Sequence, residues 1–198
     1  MSANEPPLVL VTGFGPFLDV QENPSGALAE ALEAAPPEGI RIRHRVLPVT
    51  FEGVPRALAE FLAAPEHVRP TLLLGLGVHR GASFRFEQNA RAEPTSDKPD
   101  TSGTIGLGMS AGKPRATSVD VFALARELSD RSQELGFELQ LSSDAGGYVC
   151  DWTYQHLLRL GEHLRVPALF LHVPSAEAHP VDQQLPFVRE VVERLVSR

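Results

Sequence analysis

Short apolar runs alternate with helix-period segments along the whole chain, and this alternation constrains the fold more than any other feature. Leu8-Val9-Leu10-Val11-Thr12 reads as a buried strand running into the turn Gly13-Phe14-Gly15-Pro16. Asn23-Pro24-Ser25 can start a helix, and Ala27, Leu28, Ala31, Leu32 and Ala35 give it an apolar stripe. A strand over 41–49, a helix over 51–63 and a second buried strand over 71–77, ending in glycine, follow the same rule. After a short strand near 84–89, residues 90–117 are polar and rich in breakers, which predicts a loop or lid rather than a domain linker. Beyond it the pattern predicts a helix over 119–135, a strand over 138–142, a helix over 149–160, a strand over 168–173 and a last helix over 181–196. Strands separated by helices pair in parallel. The expectation is therefore one α/β domain spanning 1–198, with a mostly parallel twisted sheet flanked by helices. A chain of 198 residues, 42% of them hydrophobic, is large enough to bury such a core.

Charge removes some partners. The formal net charge is −7, whereas non-specific nucleic-acid binding needs a basic footprint, so no nucleic acid is expected. Arg41, Arg43 and Arg45 alternate with apolar residues, as on a solvated strand face. No apolar run approaches the roughly 20 residues that span a bilayer, and residues 1–7 lack the basic start and apolar stretch of a secretory signal. The single cysteine cannot form an intramolecular disulfide. A cytoplasmic protein without membrane association is expected, and oligomeric state, monomer or homo-oligomer, is left open.

That cysteine is the first chemical candidate. Cys150 follows the strand-turn-helix segment Ser142-Ser143-Asp144-Ala145-Gly146-Gly147-Tyr148-Val149, which puts the thiol near a helix N-terminus. There the macrodipole and free N–H groups favour a thiolate and could stabilise an oxyanion. A free cysteine can equally be a small buried hydrophobe. A nucleophilic cysteine needs a base, and His172 lies at the carboxyl end of the run 168–171, where groups of open α/β sheets gather. Cys150 also follows a strand end. His44 falls within a strand, His67 in a connection, and His156 and His163 along a helix; His79 and His179 stay open by pattern alone. Asp144, Glu87 and Glu177 all qualify as the group that would orient the imidazole.

Other chemistries fit poorly. Gly13-Phe14-Gly15 begins a dinucleotide fingerprint, but its third glycine would fall at Leu18. Lys98 and Lys113 are the only lysines, and neither belongs to a Walker motif. Neither an H-E-x-x-H pattern nor paired cysteine ligands occur, so neither a metal nor another cofactor is expected.

Four stretches together resemble the pyroglutamyl peptidase I family of cysteine peptidases. They are Val11-Thr12-Gly13-Phe14-Gly15-Pro16-Phe17 with Asn23-Pro24-Ser25; Leu47-Pro48-Val49; Ser143 through Asp151, in the form D-A-G-x-Y-x-C-D; and Phe170-Leu171-His172-Val173-Pro174. They occur in the family's order across nearly the whole chain. The resemblance implies a phosphorylase/hydrolase-like fold and removal of N-terminal pyroglutamate from peptides through a thioester. It also implies Cys150 as nucleophile, His172 as base and Glu87 as third catalytic residue, with Phe14 and Phe17 packing on the pyrrolidone ring. Asn23 is the matching polar residue, bonding the ligand or bracing the loop. The chain departs from the family where Gly77-Val78-His79-Arg80-Gly81 replaces the usual Gly-Gly-Arg turn, and where Glu87-Gln88-Asn89-Ala90 is all that remains of E-R-V-A-x-N. This departure keeps two rivals in view: an α/β cysteine hydrolase with another acyl or amide substrate, and a non-catalytic protein that retains the pocket.

Overall fold

The structure, a computed structural model, describes residues 5–17, 20, 22–65 and 69–198. The elements in chain order are β1 (Leu8–Phe14), α1 (Pro24–Ala34), β2 (Arg41–Leu47), α2 (Gly53–Ala63), β3 (Leu72–Val78), β4 (Phe84–Glu87), β5 (Asn89–Ala90), β6 (Arg115–Ala116), α3 (Val121–Glu134), β7 (Leu139–Ser142), α4 (Val149–Leu164), β8 (Ala168–Val173) and α5 (Val181–Val196). Six strands make one sheet in the order β2-β1-β3-β8-β4-β7, while β5 and β6 form a separate antiparallel pair. The ladders β1–β2, β1–β3 and β3–β8 are parallel. β4 runs antiparallel to β8, and β7 runs parallel to β4.

Alternation along the strands sorts side chains between two cores. Val9, Val11, Leu72, Leu74, Leu76, Leu169, Leu171, Phe84 and Phe86 face one layer with the apolar stripes of α1, α3 and α5. Leu8, Leu10, Phe14, Leu73, Ala168 and Phe170 face the other, with α2 and α4. Strands covered on both faces read as continuous apolar runs, as β1, β3 and β8 do. The remaining positions of β4, Arg85 and Glu87, fall on the α2/α4 face, so a polar pair is carried into that layer.

α4 lies directly on β3 because Gly75 and Gly77 present no side chain. A Cβ at Gly75 would stand 2.4 Å from Phe170, and one at Gly77 would stand 3.0 Å from Cys150 Sγ. Residues 91–114, in the region expected to be a loop or lid, form no helix or strand, yet they are tied down along their length. Thr95 and Ser96 donate backbone N–H groups to the Gly147 carbonyl, and Thr101 donates to that of Val49. Asp100 accepts from the N–H of Phe51, Ser102 and Thr104.

Candidate active site

The site is built where β8, β3, β4 and the start of α4 meet. His172 sits in β8 beside Gly77, its partner in the parallel ladder, and Cys150 Sγ lies against that same glycine. Paired residues of neighbouring strands share a face, so thiol and imidazole both flank the gap that Gly77 leaves. On the other side of β8, Arg85 is the direct partner of His172 and Glu87 is its diagonal neighbour. His172 Nδ1 and Glu87 Oε1 are 2.7 Å apart, both side chains are buried, and an ionised Glu87 makes Nδ1 the donor. With the proton on Nδ1, Nε2 is left with a lone pair that can accept one.

This geometry decides among the groups the sequence left open. Glu87 is the carboxylate on His172. Asp144 instead pairs with Arg91, Oδ2 accepting at 2.7 Å, and Glu177 lines the neighbouring cleft. His79 stands near His172, with ring centroids 6.1 Å apart, but its own turn uses both its nitrogens. Nδ1 accepts the Gly81 N–H, so Nε2 carries the proton and donates to the Ser83 carbonyl. Burial lowers the pKa of His79, against the opposing hydrogen bond to Ser83, and keeps it neutral. His179 packs against Phe137, in the core on the opposite face of the sheet.

Cys150 is the second helical residue of α4, after the N-cap Tyr148, whose side chain makes no capping bond. The first intrahelical bond is Trp152 N–H to Tyr148 C=O, and the N–H groups ahead of it have no intrahelical acceptor. The turn leading in needs its glycines. Gly146 and Gly147 have φ of 96° and 64°, and a Cβ on Gly147 would strike Thr95 Oγ1. His172 lies at the carboxyl end of its strand as expected, whereas Cys150 does not follow a strand end on that side of the sheet. β7 runs opposite to β8, so its carboxyl end points away from that of β8, and the 143–148 loop carries the chain back. Burial also works against the thiolate that the helix start favours. Burial pushes the Cys150 thiol up to about 12, with the charges of Asp151 and Glu87 adding to it. The helix end favours the anion, but desolvation is the larger effect. The residue keeps partial surface exposure, and burial leaves the thiol in need of a base to take its proton.

Beside this group opens a cleft of about 850 Å³ lined by Phe17, Val20, Glu22, Val78, His79, Arg80, Lys98, Tyr148, Ser175, Ala176 and Glu177. Phe17 is half-buried at its wall, whereas Phe14 is 2% exposed within the α2/α4 core. Asn23 braces the first loop. Its Nδ2 donates to the Gly15 carbonyl at 2.9 Å, and its Oδ1 caps α1 by accepting from the Ser25 N–H and Oγ. The sequence reading passed over Tyr148. Its ring meets Phe51 edge-on and its hydroxyl donates to the Pro99 carbonyl, joining the loop to the start of α4. The one available signal was its place two residues before the thiol. Among the described residues no cluster of three or more His, Cys, Asp or Glu could hold a metal, and no helix is long and apolar enough to cross a membrane.

Known proteins resemble this chain along nearly its full length. A pyrrolidone-carboxylate peptidase of Saccharolobus islandicus is 28% identical over 179 residues, covering 90% of this chain and 84% of that one. One from Klebsiella pneumoniae is 29% identical over 201 residues, covering 96% and 91%. The crystal structure of pyrrolidone carboxyl peptidase from Fervidobacterium islandicum superposes with a TM-score of 0.85 at 24% identity, over 96% of this chain and 99% of that one. Pyroglutamyl peptidase I from Bacillus amyloliquefaciens gives a TM-score of 0.85 at 20% identity, over 97% and 98%. At such identities the structural likeness speaks for the fold. Residues 8–187 match the family model described as pyroglutamyl peptidase, and the chain belongs to that family.

Proposed function

We propose that this chain is a cysteine exopeptidase that removes N-terminal pyroglutamate from peptides through a thioester, with Cys150, His172 and Glu87 as its catalytic residues. The observation that carries this reading is the His172–Glu87 bond of 2.7 Å set beside the only thiol, which lies at Gly77 opposite His172. His172 Nε2 takes the Cys150 proton as sulfur attacks the carbonyl carbon that links pyroglutamate to the next residue. The carbonyl oxygen becomes an oxyanion, which the free N–H groups of the first turn of α4 stabilise. The C–N bond then breaks, with the imidazolium proton passing to the leaving amine. In the second half His172 removes a proton from water, which attacks the thioester and frees pyroglutamate and the thiol. A thiol whose ionisation burial opposes suits this order of events, since the base becomes effective only with an electrophile in place.

Specificity follows from the cleft. A flat, uncharged lactam suits the Phe17 wall. An N-terminal glutamate would bring an ammonium and a carboxylate into the same place, and burying them unpaired costs several kcal/mol. Phe14 backs the loop that presents Phe17, and residues 91–114 act as the lid over the start of α4. The need to keep a single nucleophilic thiol reduced fits a cytoplasmic setting. The deciding assay compares purified protein on a fluorogenic pyroglutamyl amide with the prolyl and glutamyl analogues. Turnover of the first alone, abolished in a folded Cys150→Ser variant, is expected. Absence of pyroglutamyl turnover, or full activity in Cys150→Ser, overturns the reading.

A further inference from the structure

Glu87 is fully enclosed, and a buried carboxylate needs more compensation than one neutral donor. Its Oε1 accepts from His172, but among the described residues its Oε2 has no hydrogen-bond partner. Arg85, two residues earlier on β4, shares its face and lies directly opposite His172 in the antiparallel ladder. Arg85 Nε is 4.0 Å from Glu87 Oε1 and is itself buried without a hydrogen bond. Its Nη2 donates to Ser142 Oγ at 3.0 Å on β7. Ser142 is fixed in turn, donating to the Asp144 carbonyl and accepting the Asp144 N–H. A guanidinium tethered at its outer end thus stands beside a carboxylate that lacks a second partner.

The other ionisable groups around the pair are committed elsewhere. His79, in the turn between β3 and β4, is held neutral by its burial. On α4, Asp151 accepts the N–H groups of Arg91 and Gly147, and Tyr154 donates its hydroxyl to the Glu87 carbonyl rather than to the side chain. Asp144 is bound to Arg91, and burial opposes ionisation of Cys150. We propose that Arg85 is a positioning residue, its charge keeping Glu87 an acceptor for His172 Nδ1 so that Nε2 stays free for the Cys150 proton. This role rests on the peptidase reading above. Arg85 touches none of the reacting atoms and acts through Glu87.

The test is Arg85→Met on the full chain, assayed with the pyroglutamyl amide across pH. Without the cation the imidazolium form is opposed less, so the base is lost at higher pH. The expected result is a loss of kcat of at least about tenfold, KM within about twofold, and an acid limb of kcat/KM moved up by about one pH unit. Arg85→Lys should recover much of kcat and keep the limb near its original place. A purely structural role would lower the melting temperature and leave the limb unmoved. Folded Arg85→Met with unchanged kcat and acid limb overturns the proposal. Should that variant not fold, Ser142→Ala frees the guanidinium, along with the two bonds Ser142 makes to Asp144, while leaving Arg85 and Glu87 in place, and an unmoved acid limb there overturns it equally. Failure of the wild-type protein to hydrolyse the amide would sink the peptidase reading instead. In that event the pH dependence of Cys150 alkylation by iodoacetamide still tests Arg85, and it must shift in the same direction.

Discussion

At the residue scale the central fact is a thiol that burial pushes up to about 12, beside an imidazole whose tautomer a carboxylate fixes. Reactivity at neutral pH is then expected to depend on His172, since burial opposes ionisation of the thiol. In His172→Ala, alkylation of Cys150 by iodoacetamide should fall at pH 7 and recover only at strongly alkaline pH. Unchanged neutral-pH alkylation in that variant would mean that the thiol ionises without its base. The two aromatic residues of the first loop part company in the same way. Phe17→Ala should raise KM for pyroglutamyl substrates at nearly unchanged stability, because the ring lies at the cleft wall. Phe14→Ala removes a ring that is 2% exposed and should destabilise the fold by about 3–5 kcal/mol. Denaturant titration of both variants alongside kinetics separates these outcomes, and equal KM effects with equal stability would refute the distinction. Cys150, His172 and Glu87 were all nameable from the sequence. What it left open at the third position, Asp144 or Glu177 against Glu87, depended on a cross-strand diagonal that no local pattern encodes.

At the element scale, most boundaries follow the hydrophobic period to within a few residues: β8 and α5 begin and end where the pattern places them, and α4 continues four residues past its expected end to Leu164. The direction of β7 was not legible. Its four residues carry no mark of which way they pair, and the pairing with β4 decides it. The 91–114 segment was recognised by its polar, breaker-rich composition, but its anchorage was not, because the anchors are tertiary. Asp100 shows how this works. Burial would raise its pKa, yet hydrogen bonds from Ser102, Phe51 and Thr104 outweigh that and hold it below the usual carboxylate range. Asp100→Ala removes an acceptor for three backbone N–H groups, each such bond to a charge being worth about 1.5–3 kcal/mol. The variant should be cleaved by protease within 91–114 faster than wild type and show a KM raised about tenfold. Wild-type protease resistance together with an unchanged KM would show that the loop is held by other contacts.

At the scale of the whole molecule, two apolar layers cover the sheet, β4 brings Arg85 and Glu87 to the α2/α4 side of it, and stability responds to the ionisable groups those layers trap. Burial, with Arg159 and Arg115 adding, pushes His156 down to about 4, against an ordinary value near 6.5. Neutral His156 therefore contributes stability that is present above about pH 6.5 and lost as pH falls through about 4, because the unfolded chain takes up the proton first. Asp151, raised by its burial, works in the opposite direction and favours the folded state in acid. His156→Phe keeps an aromatic ring against Trp152 and removes the titration. The fall in melting temperature between pH 7 and pH 4 should be smaller in this variant than in wild type, and an unchanged fall would exclude His156 as an acid-sensitive group.

The sequence by itself determined the α/β class, the order of elements, the single thiol and the family, with His172 as the candidate base that the family resemblance implies, because periodicity and local motifs are properties of neighbouring residues. Only the tertiary structure decided that His79 is spent on its own turn, that Asn23 braces a loop, and that Arg85 stands beside Glu87. It also decided how strongly burial opposes ionisation of the thiol against the pull of the helix start. A helix start is readable from glycines and an N-cap position, but the depth at which Cys150 is enclosed depends on Gly77 and Phe170, which come from strands far away in the chain. Desolvation is set by everything that surrounds a group, and that is known only once the strands have paired and α4 has settled on them.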